Sequence, residues 1–189
     1  MLDDVRELID RCLAGEQLAM VELVDCFRGQ VFGLCYRMLG NRQDAEDMAQ
    51  ETFVRALKNL HRWDREREFH PWLLAIAGNR CRSLLANQKR RPRGSSLYEE
   101  DPPDRSHLAE EHQQLQEEVD RALAGLRSEY RQAFLLFHEQ ELSYAEISEL
   151  LECPLGTVKT WIHRARNEVA QQLIARGVVE DRTHEIRGI

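Results

Sequence analysis

Apolar residues recur at helical spacing along almost the whole chain, and the strict alternation typical of a half-buried strand is nearly absent. Residues three and four apart share one side of a helix, so each run predicts a helix with one buried face. The chain is therefore predicted to be all-α. The first four predicted helices cover 2–13, ending near Gly15; about 20–38, ending at Gly40; 44–60; and Pro71 to about Gln88.

The helical pattern stops between about Lys89 and His112, where Pro, Ser and charged residues dominate. This composition predicts a flexible linker, and the periodicity resumes at Leu115. At 189 residues the chain has room for two small domains. We predict a first helical domain over 1–90, a flexible linker over 91–112, a second helical domain over 113–176 and a frayed tail over 177–189.

The charges are unevenly distributed. The formal net charge of −7 argues against a protein that coats nucleic acid indiscriminately, yet the segment Arg80–Arg93 holds six Lys or Arg and no acid. The segment Tyr98–Glu118 holds eight acids and one Arg. Such segregation indicates separate surfaces for separate partners.

Five cysteines are scattered without a CxxC pair, so we interpret them as reduced core thiols and expect neither a disulfide framework nor a bound metal. The N-terminal segment has no basic stretch followed by an apolar run, and no eighteen consecutive residues are apolar. A cytoplasmic protein without membrane insertion is the expectation. No catalytic triad, carboxylate pair, phosphate loop or metal-ligand motif is evident, so no cofactor and no enzymatic activity are expected.

Residues Ser143–Arg166 have the pattern of a helix-turn-helix. Ser143 and Glu146 form a capping box that begins one helix, and 152–154 interrupt it. Pro154 suits the first turn of a second helix, whose buried side is predicted to carry Leu155, Val158, Ile162, Ala165 and Val169. The second helix of such a motif lies in the major groove of DNA. The alternative is a helical hairpin whose cations are merely solvated.

The fourth predicted helix has a polar and basic outer face, preceded by aromatic residues. Asn79, Arg82 and Ser83 point away from its buried side. Aromatic rings beside cations suit single-stranded nucleic acid, because bases stack while phosphates are neutralised. The alternative is that Trp63, Phe69 and Trp72 fill the core where the third and fourth helices meet.

Three segments together resemble the bacterial extracytoplasmic-function (ECF) sigma factors of the sigma-70 family. They are DAEDMAQETF at 44–53, WLLAIAGN at 72–79, and LSYAEI at 142–147 with GTVKTWIHRAR at 156–166. The resemblance implies a factor that binds core RNA polymerase and directs promoter-specific initiation. The first domain would open and hold the −10 element and the second would read the −35 element. It also implies control by an anti-sigma factor.

The resemblance assigns three groups of residues. For core polymerase these are Asp44, Glu46, Asp47, Gln50 and Glu51. For the −10 element they are Trp63, Phe69, Trp72, Asn79, Arg80, Arg82, Ser83, Lys89 and Arg90, with Arg80 closest to the buried edge. For the −35 element they are Thr157, Lys159, Thr160, Trp161, His163, Arg164 and Arg166.

The chain also departs from the family pattern. Family members often carry Arg or Lys where this chain has Ala75 and Gly78, and Gly where it has Glu152. Thr160 and Trp161 stand where family members commonly have Ser and Arg, so one expected phosphate or base contact is missing. Stacking, a thymine-methyl contact or burial of the indole takes its place. A rival interpretation is a helix-turn-helix repressor or activator that acts without polymerase, which explains only the second domain.

Overall fold

The structure, a computed structural model, describes residues 2–90 and 107–179, with side chains over 5–88 and 115–179. Within those ranges the regular structure is entirely helical, which confirms the predicted all-α class. The helices are α1 (Leu2–Leu13), α2 (Gln17–Leu39), α3 (Arg42–Asn59), a 3-10 turn (Leu60–Arg62), α4 (Phe69–Arg90), α5 (His107–Gly125), α6 (Ser128–His138), α7 (Tyr144–Leu150) and α8 (Leu155–Ala175).

The first helical domain is built around α2, which packs against α1, α3 and α4. Leu34, Met38 and Leu73 are completely buried at this junction. Burying one such side chain contributes about 1.5–3 kcal/mol, so packing rather than helix propensity holds the domain together. Cys12, Cys35 and Cys81 are buried and Cys153 is half-buried, but Cys26 is exposed, so the interpretation as a core thiol is wrong for Cys26.

The helix ends in this domain follow local chemistry visible in the sequence. Gly40 ends α2 with φ +68°, a left-handed conformation that glycine adopts without a Cβ penalty, and its N–H donates to the Tyr36 carbonyl. Asn41 then caps α3, because its side chain accepts a 2.9 Å hydrogen bond from the Asp44 N–H.

The second helical domain places α8 against α5, α6 and α7. The predicted capping box is confirmed: the Ser143 N–H donates to Glu146 at 2.7 Å, and the Ser143 hydroxyl accepts from the Glu146 N–H at 3.2 Å. Glu152 in the turn before α8 has φ +50°. That left-handed backbone explains why glycine suits this position and why glutamate is strained there.

Several boundaries differ from the prediction, and α2 and α3 begin at Gln17 and Arg42 rather than at about 20 and at 44. Helix α4 begins at Phe69 rather than Pro71, because proline is tolerated inside the first turn, where its missing N–H has no helical partner. Helix α5 begins at His107, inside the predicted linker, since Ala, Leu, Glu and Gln favour helix there. The rest of the predicted linker, 91–106, and the predicted tail from 180 onward lie outside the described residues.

The chain remains ordered just beyond α8. Gly177 has φ +72° and its N–H donates to the Ile174 carbonyl, while the Val178 N–H reaches the Leu173 carbonyl at 3.0 Å. This pair of bonds is a Schellman cap, and Val178 packs on the core. Residues 177–179, which the prediction included in a frayed tail, are therefore ordered.

The two helical domains contact each other directly. Helix α4 lies against α6 and α7, and α2 lies against α5 and α6. Among the described residues, none of the helices combines the length and apolar character needed to cross a bilayer. The same residues contain no cluster of His, Cys, Asp and Glu arranged to hold a metal ion.

Candidate polymerase and nucleic-acid interfaces

The outer face of α3 presents a group of polar and acidic side chains to solvent. Glu46, Asp47 and Gln50 are exposed, and Glu46 pairs only locally with Arg42 at 3.0 Å. Asp47 has no hydrogen-bond or ion-pair partner among the described residues. An unpaired carboxylate on an exposed helix face is available for charge-assisted bonds to a basic partner.

Two other members of the predicted polymerase-binding set point toward α4 instead. Glu51 forms ion pairs with Arg80 at 2.8 Å and Arg55 at 2.9 Å. The hydrogen bond from Arg80 lowers the pKa of the Glu51 carboxyl below its ordinary value. Asp44 accepts a 3.1 Å hydrogen bond from Gln88 of α4. Both carboxylates therefore connect the acidic helix to the helix that follows it.

The aromatic residues before and within the start of α4 form one packed cluster with α2. The Trp63 and Phe69 rings lie 5.6 Å apart edge to face, and Phe27 contacts Phe69 at 5.4 Å. Trp63 and Phe69 are only 7% and 3% exposed, so they fill the core, as the alternative interpretation held. Trp72 is half-buried and contacts Phe69 at 5.5 Å. It is the one ring of the predicted three that keeps a solvent-facing side.

The outer face of α4 carries a small polar network. Asn79 and Ser83 are exposed, the Ser83 hydroxyl donates to the Asn79 carbonyl at 2.9 Å, and Arg82 donates to the Asn79 side chain. Arg80 is half-buried and paired with Glu51, which gives it a role within the domain. Lys89 and Arg90 lie in the helix, but their side chains fall outside the described residues.

A cavity of about 630 Å³ lies between part of this face and α7 of the second domain. Its walls combine the segment before α4, the outer face of α4 and the acidic side of α7. The residues that line it include Arg62, Trp63, Arg67, Trp72, Ile76, Asn79, Glu146, Glu149, Leu150 and Glu152. Arg67 closes one side through a 2.9 Å ion pair with Glu149.

Helix α8 presents a polar face opposite its buried side. Val158, Ile162, Ala165 and Val169 are buried as predicted, whereas Leu155 is 42% exposed. On the other side Lys159, Thr160 and His163 are exposed, Thr157 is half-buried, and the Thr160 hydroxyl donates to the Gly156 carbonyl at 2.8 Å. The N-terminal half of α8 therefore offers the residue types that contact base edges and phosphates.

Three other candidates on α8 have partners within their own domain. Trp161 is partly buried and packs on the core, which favours indole burial among the three alternatives. The Arg164 guanidinium donates to the Tyr130 hydroxyl at 2.8 Å. Arg166 donates to His138 at 3.0 Å and lies 5.1 Å from the centre of the Phe137 ring. Burial, and then the charge of Arg166, lower the pKa of His138.

Comparison with known proteins accounts for both domains. Residues 23–91 match the profile of Sigma-70 region 2, and residues 116–169 match that of Sigma-70, region 4. These two regions together define a sigma-70-type transcription initiation factor. A helix-turn-helix repressor or activator that acts without polymerase would not account for the match to Sigma-70 region 2.

Curated relatives narrow the class. The chain is 34% identical to the ECF RNA polymerase sigma factor SigW of Bacillus subtilis, over 89% of this chain and 96% of the relative. It is 32% identical to the ECF RNA polymerase sigma-E factor of Escherichia coli, over 89% and 95%. The chain belongs to the family of ECF RNA polymerase sigma factors. The members of this family are initiation factors rather than enzymes.

Solved structures agree with this fold. CnrH in complex with the cytosolic domain of CnrY superposes with a TM-score of 0.65 at 26% identity, covering 90% of this chain and 97% of that one. The sigma factor RpoE of Bartonella quintana, in complex with the anti-sigma factor NepR, gives a TM-score of 0.66 at 20% identity, covering 80% and 94%.

Proposed function

We propose that the first domain of this sigma factor binds core polymerase and holds the −10 element, while the second domain reads the −35 element. The observation that carries the proposal is the exposed polar face of α8, opposite a buried side that includes Val158, Ile162 and Ala165. Lys159, Thr160 and His163 are its base- and phosphate-contacting residues.

The polymerase contact is assigned to the exposed part of α3. Asp47, Glu46 and Gln50 face solvent, and Asp44 and Glu51 hold α3 against α4 while adding negative charge. Carboxylates on a rigid helix favour a basic partner surface through complementary charge. The −10 element is assigned to Trp72, Asn79 and Ser83, with Arg82, Lys89 and Arg90 supplying positive charge. Trp63, Phe69 and Arg80 support that face from within the domain.

The polymerase assignment is tested by charge reversal. Asp47→Arg removes binding to core polymerase if α3 docks as proposed, because one attractive charge becomes repulsive. The matched control is Asp25→Arg, which makes the same charge change at an exposed position of α2. DNA binding by the Asp47→Arg protein remains normal. Equal polymerase affinity in both variants and the wild type would refute the assignment.

The promoter assignment is tested by run-off transcription. Purified core polymerase, with and without the chain, transcribes a genomic fragment library and the RNA 5′ ends are mapped. Starts that depend on the chain and share two upstream elements support both domain assignments. Starts that share only one element would contradict the role of one domain.

A regulatory partner is the third part of the proposal. We expect an anti-sigma factor to hold the chain inactive in the cytoplasm, since the chain exposes apolar and basic faces that need masking while it is inactive. The RpoE structure named above holds such a partner on the same fold. Expression in cells that lack the neighbouring genes tests it. Full activity at native expression with those genes present would contradict sequestration.

A further inference from the structure

Leu155, the first residue of α8, is an apolar side chain that the core leaves exposed. The sequence pattern predicts it on the buried side of α8 with Val158 and Ile162, yet it is 42% exposed while those two residues are almost completely buried. Within α8, all of which the structure describes, Leu155 is the one large apolar side chain that remains exposed. Its exposure places an apolar group on the end of α8 that is proposed to face DNA.

We propose that Leu155 contacts the 5-methyl group of a thymine in the −35 element and so makes recognition of that base pair selective for thymine. The inference rests on the proposed reading of the −35 element by α8. It adds a residue outside the group assigned to that element above. A thymine-methyl contact is one of the alternatives that follow from Thr160 and Trp161, but Trp161 packs on the core, and the contact is assigned to Leu155 instead.

The position of Leu155 in the helix directs its side chain toward the DNA. Side chains of an α-helix lean toward the N-terminus, so each one covers the surface of the turn before its own Cα. No turn of α8 precedes Leu155, because the helix begins there, directly after Pro154. In a helix-turn-helix the N-terminal residues of the second helix meet base edges in the major groove. The Leu155 side chain therefore extends beyond the helix end, toward those base edges.

The neighbours of Leu155 in the chain leave room for a base pair. Pro154 and Gly156 are both exposed. A Cβ added to Gly156 would meet nothing within 4 Å, so open space lies beside the leucine. The edge of a base pair can approach Leu155 without displacing either neighbour.

The polar groups nearby supply affinity, whereas Leu155 supplies a preference for one base. Lys159 lies one turn after Leu155 on the same side of α8 and is exposed, so its ammonium group is available to a phosphate or a purine edge. The Thr160 hydroxyl donates its proton to the Gly156 carbonyl at 2.8 Å, which leaves its oxygen and methyl group for DNA.

Thymine is the base that suits an apolar side chain in the major groove. It alone among the four bases carries a methyl group there, and burial of that group against leucine removes apolar surface from water. Cytosine and adenine present amino groups in the same groove, and an amino group covered by leucine would lose its hydrogen bond to water. Leu155 therefore favours thymine and also disfavours its competitors.

Replacement of thymine by deoxyuridine tests the contact directly, because it removes the methyl group and keeps every hydrogen-bonding atom. The holoenzyme, assembled from the full chain and core polymerase, first selects a −35 element from a random pool of promoter duplexes. Each thymine of that element is then replaced in turn, and affinity is measured by fluorescence anisotropy. At the position that Leu155 contacts, loss of one buried methyl group weakens binding about fourfold.

Two substitutions of Leu155 remove the apolar contact while keeping residues that favour a helix. In Leu155→Ala and Leu155→Gln, thymine and uracil bind equally at that position, so the ratio of the two affinities falls to about one. The matched control is Leu115→Ala, which shortens a leucine of similar exposure on α5 and retains the fourfold ratio. Lys159→Ala weakens binding to both duplexes and also retains the ratio, because its contact does not involve the methyl group.

The possible results separate this inference from the proposed function of α8. A thymine preference that persists in Leu155→Ala and Leu155→Gln would overturn the inference, because the methyl group would then act through duplex shape or through another side chain. Equal binding of thymine and uracil by the wild-type holoenzyme at every position, or a selected element without thymine, would also overturn it, although selective −35 binding would remain. Absence of any selective −35 binding by the wild type would refute the proposed function of α8, and the inference with it.

Discussion

The outer faces of α4 and α8 are both proposed to bind DNA, but they differ in their surroundings within the structure. The α4 face borders the second domain at a cavity and keeps Asn79 and Ser83 exposed, but two of its predicted aromatic contacts are buried. The α8 face is exposed at Lys159, Thr160 and His163. In this structure the proposed −35 face is therefore open to solvent along the first half of α8, whereas the proposed −10 face borders the second domain on one side.

The aromatic rings give the largest effect that can test this comparison. Trp63→Ala lowers the free energy of unfolding by about 3–5 kcal/mol, because it leaves a cavity beside Phe69. Trp72→Ala costs less, since that ring is half-buried, but it weakens binding to single-stranded DNA. Urea denaturation of both variants measures the difference. Similar stability losses in the two proteins would show that Trp72 is also a core residue.

The buried arginine between the domains provides the next largest effect. Arg131→Met removes hydrogen bonds to the Met38, Ala124 and Leu126 carbonyls and lowers the free energy of unfolding by about 2–3 kcal/mol. The control Arg28→Met alters an exposed arginine and changes stability by less than about 0.5 kcal/mol. Equal melting temperatures in the two variants would mean that the Arg131 bonds contribute nothing measurable.

Much of the fold is predictable because its determinants are local. Gly40, the Ser143–Glu146 capping box and the buried spacing of Val158, Ile162 and Ala165 each act within a few residues, and the structure confirms them. Local patterns indicate that a helix is present better than they indicate where it begins. The predicted starts of α4 and α5 differ from the observed starts by two and six residues.

The rest depends on contacts between segments far apart in the chain. Helical periodicity does not indicate that Trp63 packs on Phe69 against α2, or that Glu51 pairs with Arg80. Gly78 stands out only as a departure from the family pattern, and its neighbour Gln132 carried no signal of its own. The aromatic spacing left core and DNA roles equally open, and tertiary burial decides between them.

On the exposed face of α8, Lys159 provides a direct test. Lys159→Ala weakens binding to the −35 element by about 1–2 kcal/mol and makes the salt dependence shallower if the contact is to phosphate. Lys58→Ala, at an exposed position near the end of α3, is the control and leaves the affinity unchanged. Fluorescence anisotropy at several salt concentrations measures both. An unchanged affinity for Lys159→Ala would remove the central contact of the proposed α8 interface.

Substitution of Arg166 is expected to have the smallest effect on DNA affinity. It tests how far the DNA-contacting face extends along α8. Its guanidinium is hydrogen-bonded to His138 and lies over the Phe137 ring, so it is held against α6 rather than extended toward a phosphate. Arg166→Ala therefore changes −35 affinity by less than about 0.5 kcal/mol, well below the effect of Lys159→Ala. A loss as large as that of Lys159→Ala would show that Arg166 leaves His138 when DNA binds. The DNA-contacting face of α8 would then extend beyond its N-terminal half, and DNA binding would require local rearrangement of Arg166.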